Sequence, residues 1–565
     1  MNKNWKIASV INQEFQDRFP EIDPLVLQLL WNRGLKNQEK IDEFLLPDYS
    51  QDLHDPFLFR DMDKTIERIK KAIERKEKIT IYGDYDTDGV CSTTILYLTL
   101  KEMGAIVDYY LPDREKEGYG LNKEAAQLII NEGTKLIITV DCGITNVEEV
   151  EFIKNLGIEI IITDHHVPLN ILPKAFSIIN PWVKDDHYPF QDLAGSGVAF
   201  KVAQALLKKY PLENKEAFEK WMLDLVAIGS VADMVIMKGE NRVLVKYGLI
   251  VLNKTSRAGL RQLIKRAKIN LGEIDTRSIG IQISSRLNAA GRVDHANLAL
   301  EMLISENDKK AEELSEKIQK LNELRQKMME KMFKEAIQEI GDNSSDDILI
   351  VYKKNWPVGL LGITAHRLLD IFQRPCLTIS IRDHEIKGCG RSIEGFNLIE
   401  FLKKFEDQFL RYGGHAGAAG FTLRENNEKF LNEFSKKIKI AAEKELKQID
   451  FHPVIFIEAE VKIEDITWKV YEEILRFEPF GEGNLPPVFL AKNLLIADIR
   501  QVGRQKRHLK IIIDNGKSLI YFGGGDKLIK SDVGKRIDIV FEVSDNQWNG
   551  TKEMQYKVID FKKYE

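Results

Sequence analysis

At 565 residues, with 44% hydrophobic and 30% charged side chains, the chain has the make-up of an ordinary soluble globular protein, and at roughly 100–200 residues per domain it holds several. A formal net charge of -5 argues against a globally basic nucleic-acid coat, although a net value hides local patches, and four scattered cysteines with no C-x-x-C pair exclude a disulfide framework. The opening residues lack a signal peptide's apolar run and no segment is long enough to cross a bilayer, so the sequence predicts a cytoplasmic protein with no membrane role.

In chain order, residues 1–61 combine a Leu-rich helical pattern with Pro20, Pro24, Pro47 and Pro56 and read as a small helical lead-in packed on the segment after it. A domain over 62–298 opens with an amphipathic helix at 63–76, where Ile66, Ile69 and Ile73 share one face. That helix feeds an apolar strand at 78–82, which ends in G-D-Y-D-T-D-G at 83–89 and breaks at Gly89. Asp84, Asp86 and Asp88 crowd together there and repel one another unless a cation neutralises them or water bathes them. Hard oxygen donors packed this way suit Mg²⁺ or Mn²⁺; taken alone, the motif reads equally as a solvated Asp-rich turn.

After a helix-compatible run from Cys91, strands at 105–112, 135–140 and 158–163 alternate with helices at 123–131 and 147–155. Short, nearly continuous apolar strands between helices predict a parallel sheet covered on both faces, with ligands beyond the carboxyl ends of its strands. The strand at 135–140 ends in Asp141 and the strand at 158–163 in Asp164, His165 and His166, so parallel topology gathers them on one edge with the three aspartates. Singly, Asp141 also reads as a helix cap and the histidines as surface residues. Asp233, inside the apolar run 221–235, needs a partner, either a metal or Arg242 in an ion pair.

From 299 to 340 there is neither glycine nor proline, and the segment 299–342 reads as a charged helix or helix pair. At about 40 residues it would span about 60 Å, enough to connect two domains and hold them apart. A second α/β domain over 343–449 has strands at 347–352 and 376–381 around a helix at 362–371. Arg391 and Ser392 offer a fork and a hydroxyl suited to phosphate; the small residues around His415, Gly414 among them, either let backbone amides approach a ligand or form a tight turn. From 450 to 565 five to six short alternating strands predict a small β-barrel. Its basic loop, with Arg500, Arg504, Lys506, Arg507 and Lys510 near Tyr521, Phe522 and Trp548, suits single-stranded nucleic acid or is a solvated basic hairpin.

From about residue 20 to its end the chain resembles the DHH phosphoesterase superfamily. The shared motifs are G-D-Y-D-T-D-G, D-C-G at 141–143, D-H-H at 164–166, V-A-D-M-V at 231–235 with G-E-N-R at 239–242, and R-L-N-A-A-G-R at 286–292. G-R-S at 390–392 and G-G-H-A-G-A-A-G at 413–420 match the DHH-associated domain, and F-G-E-G-N at 480–484 precedes a barrel that resembles an OB fold. The resemblance implies a 5′→3′ exonuclease on single-stranded DNA that releases 5′-mononucleotides by two-metal hydrolysis, with Mn²⁺ or Mg²⁺, in DNA recombination and repair. It implies that Asp86, Asp88, Asp141, His165 and Asp233 hold the two ions with Asp84 close by, and that His166, Arg286, Arg391 and His415 meet the scissile phosphate or the 5′ end. A monomer with a single-strand-binding protein and a helicase as partners is the accompanying expectation.

Three departures stand out. Tyr82 occupies a position where some members carry histidine, W-P-V-G at 356–359 lacks an imidazole often found there, and the sequence ends after the barrel, where some longer relatives continue. A phosphodiesterase acting on oligonucleotides or cyclic dinucleotides is disfavoured by the barrel and the connector. An inactive DNA-binding scaffold is disfavoured by the intact donor set.

Overall fold

The computed structural model describes residues 3–210, 212–447, 449–548 and 551–564, apart from the side chains of 342, 343, 504, 547, 548 and 551. They group into two compact units, one made of His54–Val235 and Leu244–Phe451, the other of the chain up to Leu53, Ile236–Val243 and everything from His452 onward.

The larger unit is built on a five-stranded sheet, all parallel, in the order Val107–Tyr110, Lys78–Tyr82, Thr134–Val140, Glu159–Thr163, Ser177–Ile179. Ile79, Ile81, Ile137, Ile138, Ile161 and Ile162 have no exposed surface, as expected for strands covered on both faces. One face carries the helices Lys123–Asn131 and Val147–Asn155, whose Ala126, Ile129, Val150 and Ile153 share a core with Ile137, Ile160 and Ile162. The helices Thr87–Glu102, Gly195–Lys209 and Leu223–Ala232 pack against one another and the sheet. Ser177–Ile179 is too short and too near a proline-rich loop to be read from the sequence.

The carboxylate stretch differs from expectation in one respect. The helix starts at Thr87, and Asp86 is its N-cap, accepting from the Gly89 amide at 3.0 Å. Gly89 therefore sits inside the first turn, where a Cβ would lie 2.5 Å from the Asp84 carbonyl oxygen.

The connector resolves into a helix pair, Asn297–Ile304 and the 33-residue Asp308–Ile340. It does not hold the two α/β modules apart. Ser315 accepts from Arg266 (2.9 Å) and Glu335 from the Trp356 indole (2.8 Å), so one end of the long helix lies on each module. The modules also touch directly: Arg292 donates to the Gly359 carbonyl at 2.7 Å, and Arg382 forks onto Glu115 at 3.1 and 3.2 Å.

The second module has a five-stranded sheet in the order Phe409–His415, Ala418–Leu423, Ile386–Arg391, Cys376–Ile381, Leu349–Lys354, antiparallel except for its last pair. The glycine-rich stretch is the hairpin of the first two strands, with a tight turn at Ala416 and Gly417. Gly414, at φ 144°, is required there, because a Cβ would meet the Ala418 carbonyl oxygen at 2.2 Å.

In the smaller unit the strands Ala459–Glu460, Val488–Val502, His508–Ile513, Ser518–Tyr521, Thr551–Lys563 and Arg536–Trp548 form a sheet that closes between Val488–Val502 and Arg536–Trp548. Most of the lead-in packs on this barrel, where Phe15, Leu30 and Phe44 share a core with Phe477, Phe489 and Phe541. Its last residues belong to the larger unit, where Phe59 stacks on Tyr188 at 3.8 Å, as expected for a lead-in packed on the segment after it. The first strand of the lead-in, Asn4–Ile7, pairs in parallel with Val454–Ile457. Arg242 is in this unit and donates to the carbonyls of Phe44, Arg476, Phe477, Glu478 and Pro479, which accounts for its guanidinium without Asp233.

The basic segment is a hairpin, not a loop. Arg500 and Lys510 are cross-strand partners, and Arg500 is held at 2.7 Å by Asp498. Lys506 and Arg507 are exposed at the turn, and Phe522 lies exposed against His508, their rings 5.3 Å apart. The side chains of Arg504 and Trp548 lie outside the described residues. Among the described residues no helix is long and apolar enough to cross a membrane.

Candidate metal centre

The carboxyl edge of the parallel sheet brings Asp84, Asp86, Asp88, Asp141, His165 and Asp233 into one pocket. Three overlapping donor triads meet there, Asp84 with Asp86 and Asp141, Asp88 with His165 and Asp233, and Asp141 with His165 and His166; within each, the donor atoms lie within 4.8 Å of one another. The His165 Nε2, 3.0 Å from Asp141 and 3.6 Å from Asp233, joins them. Asp141 is not a helix cap: it sits at φ 60°, and the next helix is preceded by Asn146. Asp233 terminates the helix Leu223–Ala232.

Close packing fixes these carboxylates. The Ser196 amide, at the start of the helix Gly195–Lys209, donates to Asp88 Oδ1 at 3.1 Å. A Cβ on Gly229 would lie 2.3 Å from that same oxygen, and one on Gly195 2.7 Å from Asp141 Oδ1. Only glycine allows the helices to approach so closely.

Burial, reinforced by the neighbouring Asp86 charge, pushes the Asp84 carboxyl up to about 8 and that of Asp88 up to about 6. Burial and the surrounding carboxylates raise Asp141 and Asp233 well above the ordinary range too. His165 is pulled down to about 4 by burial and by His166, so its imidazole is neutral and free to act as a ligand. Burial also disfavours the charged form of His166, but its 2.8 Å contact with Asp164 outweighs this and lifts it to about 9.

Asp84 Oδ1, Asp88 Oδ2 and His165 Nε2 are buried and make no hydrogen bond, the close contacts of His165 with Asp141 and Asp233 lacking hydrogen-bond geometry. Orphaned donors of this kind, mostly hard oxygens with one neutral imidazole, fit divalent cations such as Mn²⁺ or Mg²⁺. Asp164, the first residue of the D-H-H motif, is a scaffold: wholly buried, it accepts from the amides of Ile144, His165 and His166 and fixes the loop that presents the histidines. Tyr82 turns its hydroxyl to the Gly120 carbonyl at 3.1 Å, away from ligand duty.

The second module carries its own cluster of candidate residues. His415 is the cross-strand partner of Ala418, and Ala418 of Arg391, so His415 and Arg391 project from one face of the sheet at about 10 Å spacing. Ser392 donates its hydroxyl to the Phe396 carbonyl at 2.6 Å and keeps only lone pairs for a ligand. Arg286 is drawn toward the long helix, with Nε on Gln319 and Nη1 on the Gln282 carbonyl, both at 2.9 Å.

Three residues beside the donors escaped sequence reasoning. Arg292 closes the same motif as Arg286; burial and neighbouring Arg114 pull its guanidinium down to about 9 while the Asp86 charge acts against them. Arg114 stacks 4.1 Å over the Tyr85 ring, its Nε buried without a partner, and helps to hold Asp84 down. Tyr119 donates to the Asp141 carbonyl at 3.2 Å and lies 3.0 Å from His166 Nδ1. Arg292 stood in a visible motif, but Arg114 and Tyr119 lie in a loop with no periodic signal.

A parallel sheet with acidic and imidazole donors at its carboxyl edge, followed in the chain by a second sheet that carries Arg391 and His415, defines a DHH-type phosphoesterase. The family models agree: the DHH family N-terminal domain matches residues 78–230, the DHHA1 domain 345–455 and the RecJ OB domain 457–560. The chain is 41% identical over 545 residues to the single-stranded-DNA-specific exonuclease RecJ of Bacillus subtilis (strain 168), covering 95% of this chain and 68% of that protein. It is 30% identical to the corresponding protein of Escherichia coli (strain K12), covering 96% of each. The crystal structure of RecJ in complex with Mn²⁺ from Thermus thermophilus matches all of this chain and 80% of its own, with a TM-score of 0.85 and 27% identity. The chain belongs to the RecJ family.

Proposed function

We propose that the chain is a single-stranded-DNA-specific exonuclease that works 5′→3′ and releases 5′-mononucleotides with the help of two divalent ions, Mn²⁺ or Mg²⁺. The observation that carries this reading is the pocket of six converging donors with three orphaned buried ligand atoms. Relatives named as single-stranded-DNA-specific exonucleases and a related structure with Mn²⁺ support the substrate and the metal.

In this reading residues 62–298 supply the metal donors, Asp86, Asp88, Asp141, His165 and Asp233, with Asp84 beside them. Bound there, the ions supply Lewis-acid activation of a water and charge stabilisation at the scissile phosphate. His165 stays neutral as a ligand, and His166, kept cationic by Asp164, faces the phosphate as a charge or proton donor. Arg391 and His415, on residues 343–449, take phosphate oxygens from the opposite side, with Arg286, Ser392 and Gly414 along the same path. Lys506, Arg507, Lys510, Arg500 and Arg504 of the barrel attract the strand, and Phe522 offers a face for base stacking. Family membership also supports a place in DNA recombination and repair, in the cytoplasm, as a monomer working beside a single-strand-binding protein and a helicase.

Asp233→Ala tests the assignment. With Mn²⁺ and single-stranded DNA, cleavage should fall about 100-fold while binding measured in chelator stays within about twofold. Undiminished cleavage would overturn the role given to Asp233.

A further inference from the structure

The amino edge of the parallel sheet, opposite the metal donors, holds a second built site. A cavity of about 620 Å³ opens there between the helix Met62–Glu74 and the starts of the strands at Lys78, Thr134, Glu159 and Ser177. Arg68 is at its centre, with a side chain only 10% exposed. Its Nε lies 2.6 Å from Glu159 and its Nη2 2.8 Å from Glu77, while Nη1 is buried with no hydrogen-bond partner. A buried donor left unpaired is costly, and an acceptor seated in the cavity would relieve that cost.

The remaining charges favour an anion. Lys71 and Lys135 line the same cavity, both exposed, and neither has an ion-pair or hydrogen-bond partner among the described residues. Arg75, also lining it, reaches Glu77 only at 3.8 Å. Arg68 balances only one of Glu77 and Glu159, but the full lining sets five cations, Lys64, Arg68, Lys71, Arg75 and Lys135, against three carboxylates, Glu67, Glu77 and Glu159, so the field at the mouth is net positive. Leu156, Ile158 and Phe176 supply an apolar wall, and the volume is that of a small-molecule site.

We propose that this cavity binds a nucleoside monophosphate. Lys71, Lys135 and the free N–H of Arg68 take the phosphate, Leu156 and Phe176 pack against the base, and Glu159 and Glu67 accept from the ribose hydroxyls. The site is separate from the metal centre and does not depend on the chemistry proposed for it.

The test uses the full chain in chelator, so that the metal donors recruit no phosphate. Photolabelling with 8-azidoadenosine 5′-monophosphate should mark the peptide carrying Leu156 or Phe176, and excess AMP should abolish the mark. In calorimetry Lys71→Glu/Lys135→Glu, two exposed positions, should weaken AMP binding about tenfold or more with an unchanged unfolding midpoint. Label confined to peptides bearing the metal donors, equal affinity in the double variant, or inorganic phosphate binding as tightly as AMP would each overturn the proposal.

Discussion

The metal-free protein should lose stability as the pH rises from 5 to 8, and a divalent ion should restore it. The carboxyls of Asp84 and Asp88 titrate at about 8 and about 6 in the fold against an ordinary value of 3.8, so between those values the folded state holds more protons than the unfolded one. Stability from a group raised in this way is complete at low pH and disappears as the pH climbs through the folded value. Within this interval Asp84 titrates over about 3 pH units, corresponding to roughly 4 kcal/mol at 1.36 kcal/mol per pH unit, and Asp88 adds roughly 1 kcal/mol between pH 5 and about 6. His166, raised to about 9 from 6.5, acts in the same direction above its ordinary value. In calorimetry with chelator the transition of the larger unit should fall by roughly 5–10 °C between pH 5 and 8, and Mn²⁺ at pH 8 should reverse the fall. Asp88→Asn should flatten the pH dependence and reduce the Mn²⁺ effect together. A metal-free midpoint that is constant or rises over this interval would refute the reading of these carboxylates as a charge cluster awaiting cations.

Gly229→Ala would place a methyl group 2.3 Å from Asp88 Oδ1, so Mn²⁺ affinity by titration calorimetry should drop about tenfold or more with little change in circular dichroism. Tyr119→Phe removes the hydroxyl between the Asp141 carbonyl and His166; turnover should fall about tenfold at unchanged metal affinity, and a loss of metal binding instead would assign Tyr119 to the donor scaffold.

The metal edge was legible because its determinants are local and periodic. Strands such as Thr134–Val140 and Glu159–Thr163 are continuous apolar runs that end abruptly in acid or imidazole, and parallel topology then fixes which ends meet. The helices Lys123–Asn131 and Val147–Asn155 each follow an asparagine and carry a clear apolar stripe. What was missed depends on partners distant in sequence. Nothing in Asn4–Ile7 announces a pairing with Val454–Ile457, and Ala491–Val502 carries too many polar residues to read as part of one long strand. The glycine-rich stretch around His415 read equally as a close approach to a ligand or as a tight turn, and its flanking strands were not read because glycine is scarce in strands, yet here it permits close hairpin pairing. The position of Arg292 beside Asp86 follows from how the helix Ser284–Val293 packs, which spacing alone does not reveal.

The central claim, that the pocket is a metal-dependent exonuclease site working from the 5′ end, is tested most directly with a single-stranded oligonucleotide labelled at one end. In Mn²⁺, a 5′ label should appear at once as a mononucleotide, while a 3′-labelled strand should shorten progressively and a duplex of the same sequence should persist. Immediate release of the 3′ label, internal cleavage ladders, or no hydrolysis would contradict the account.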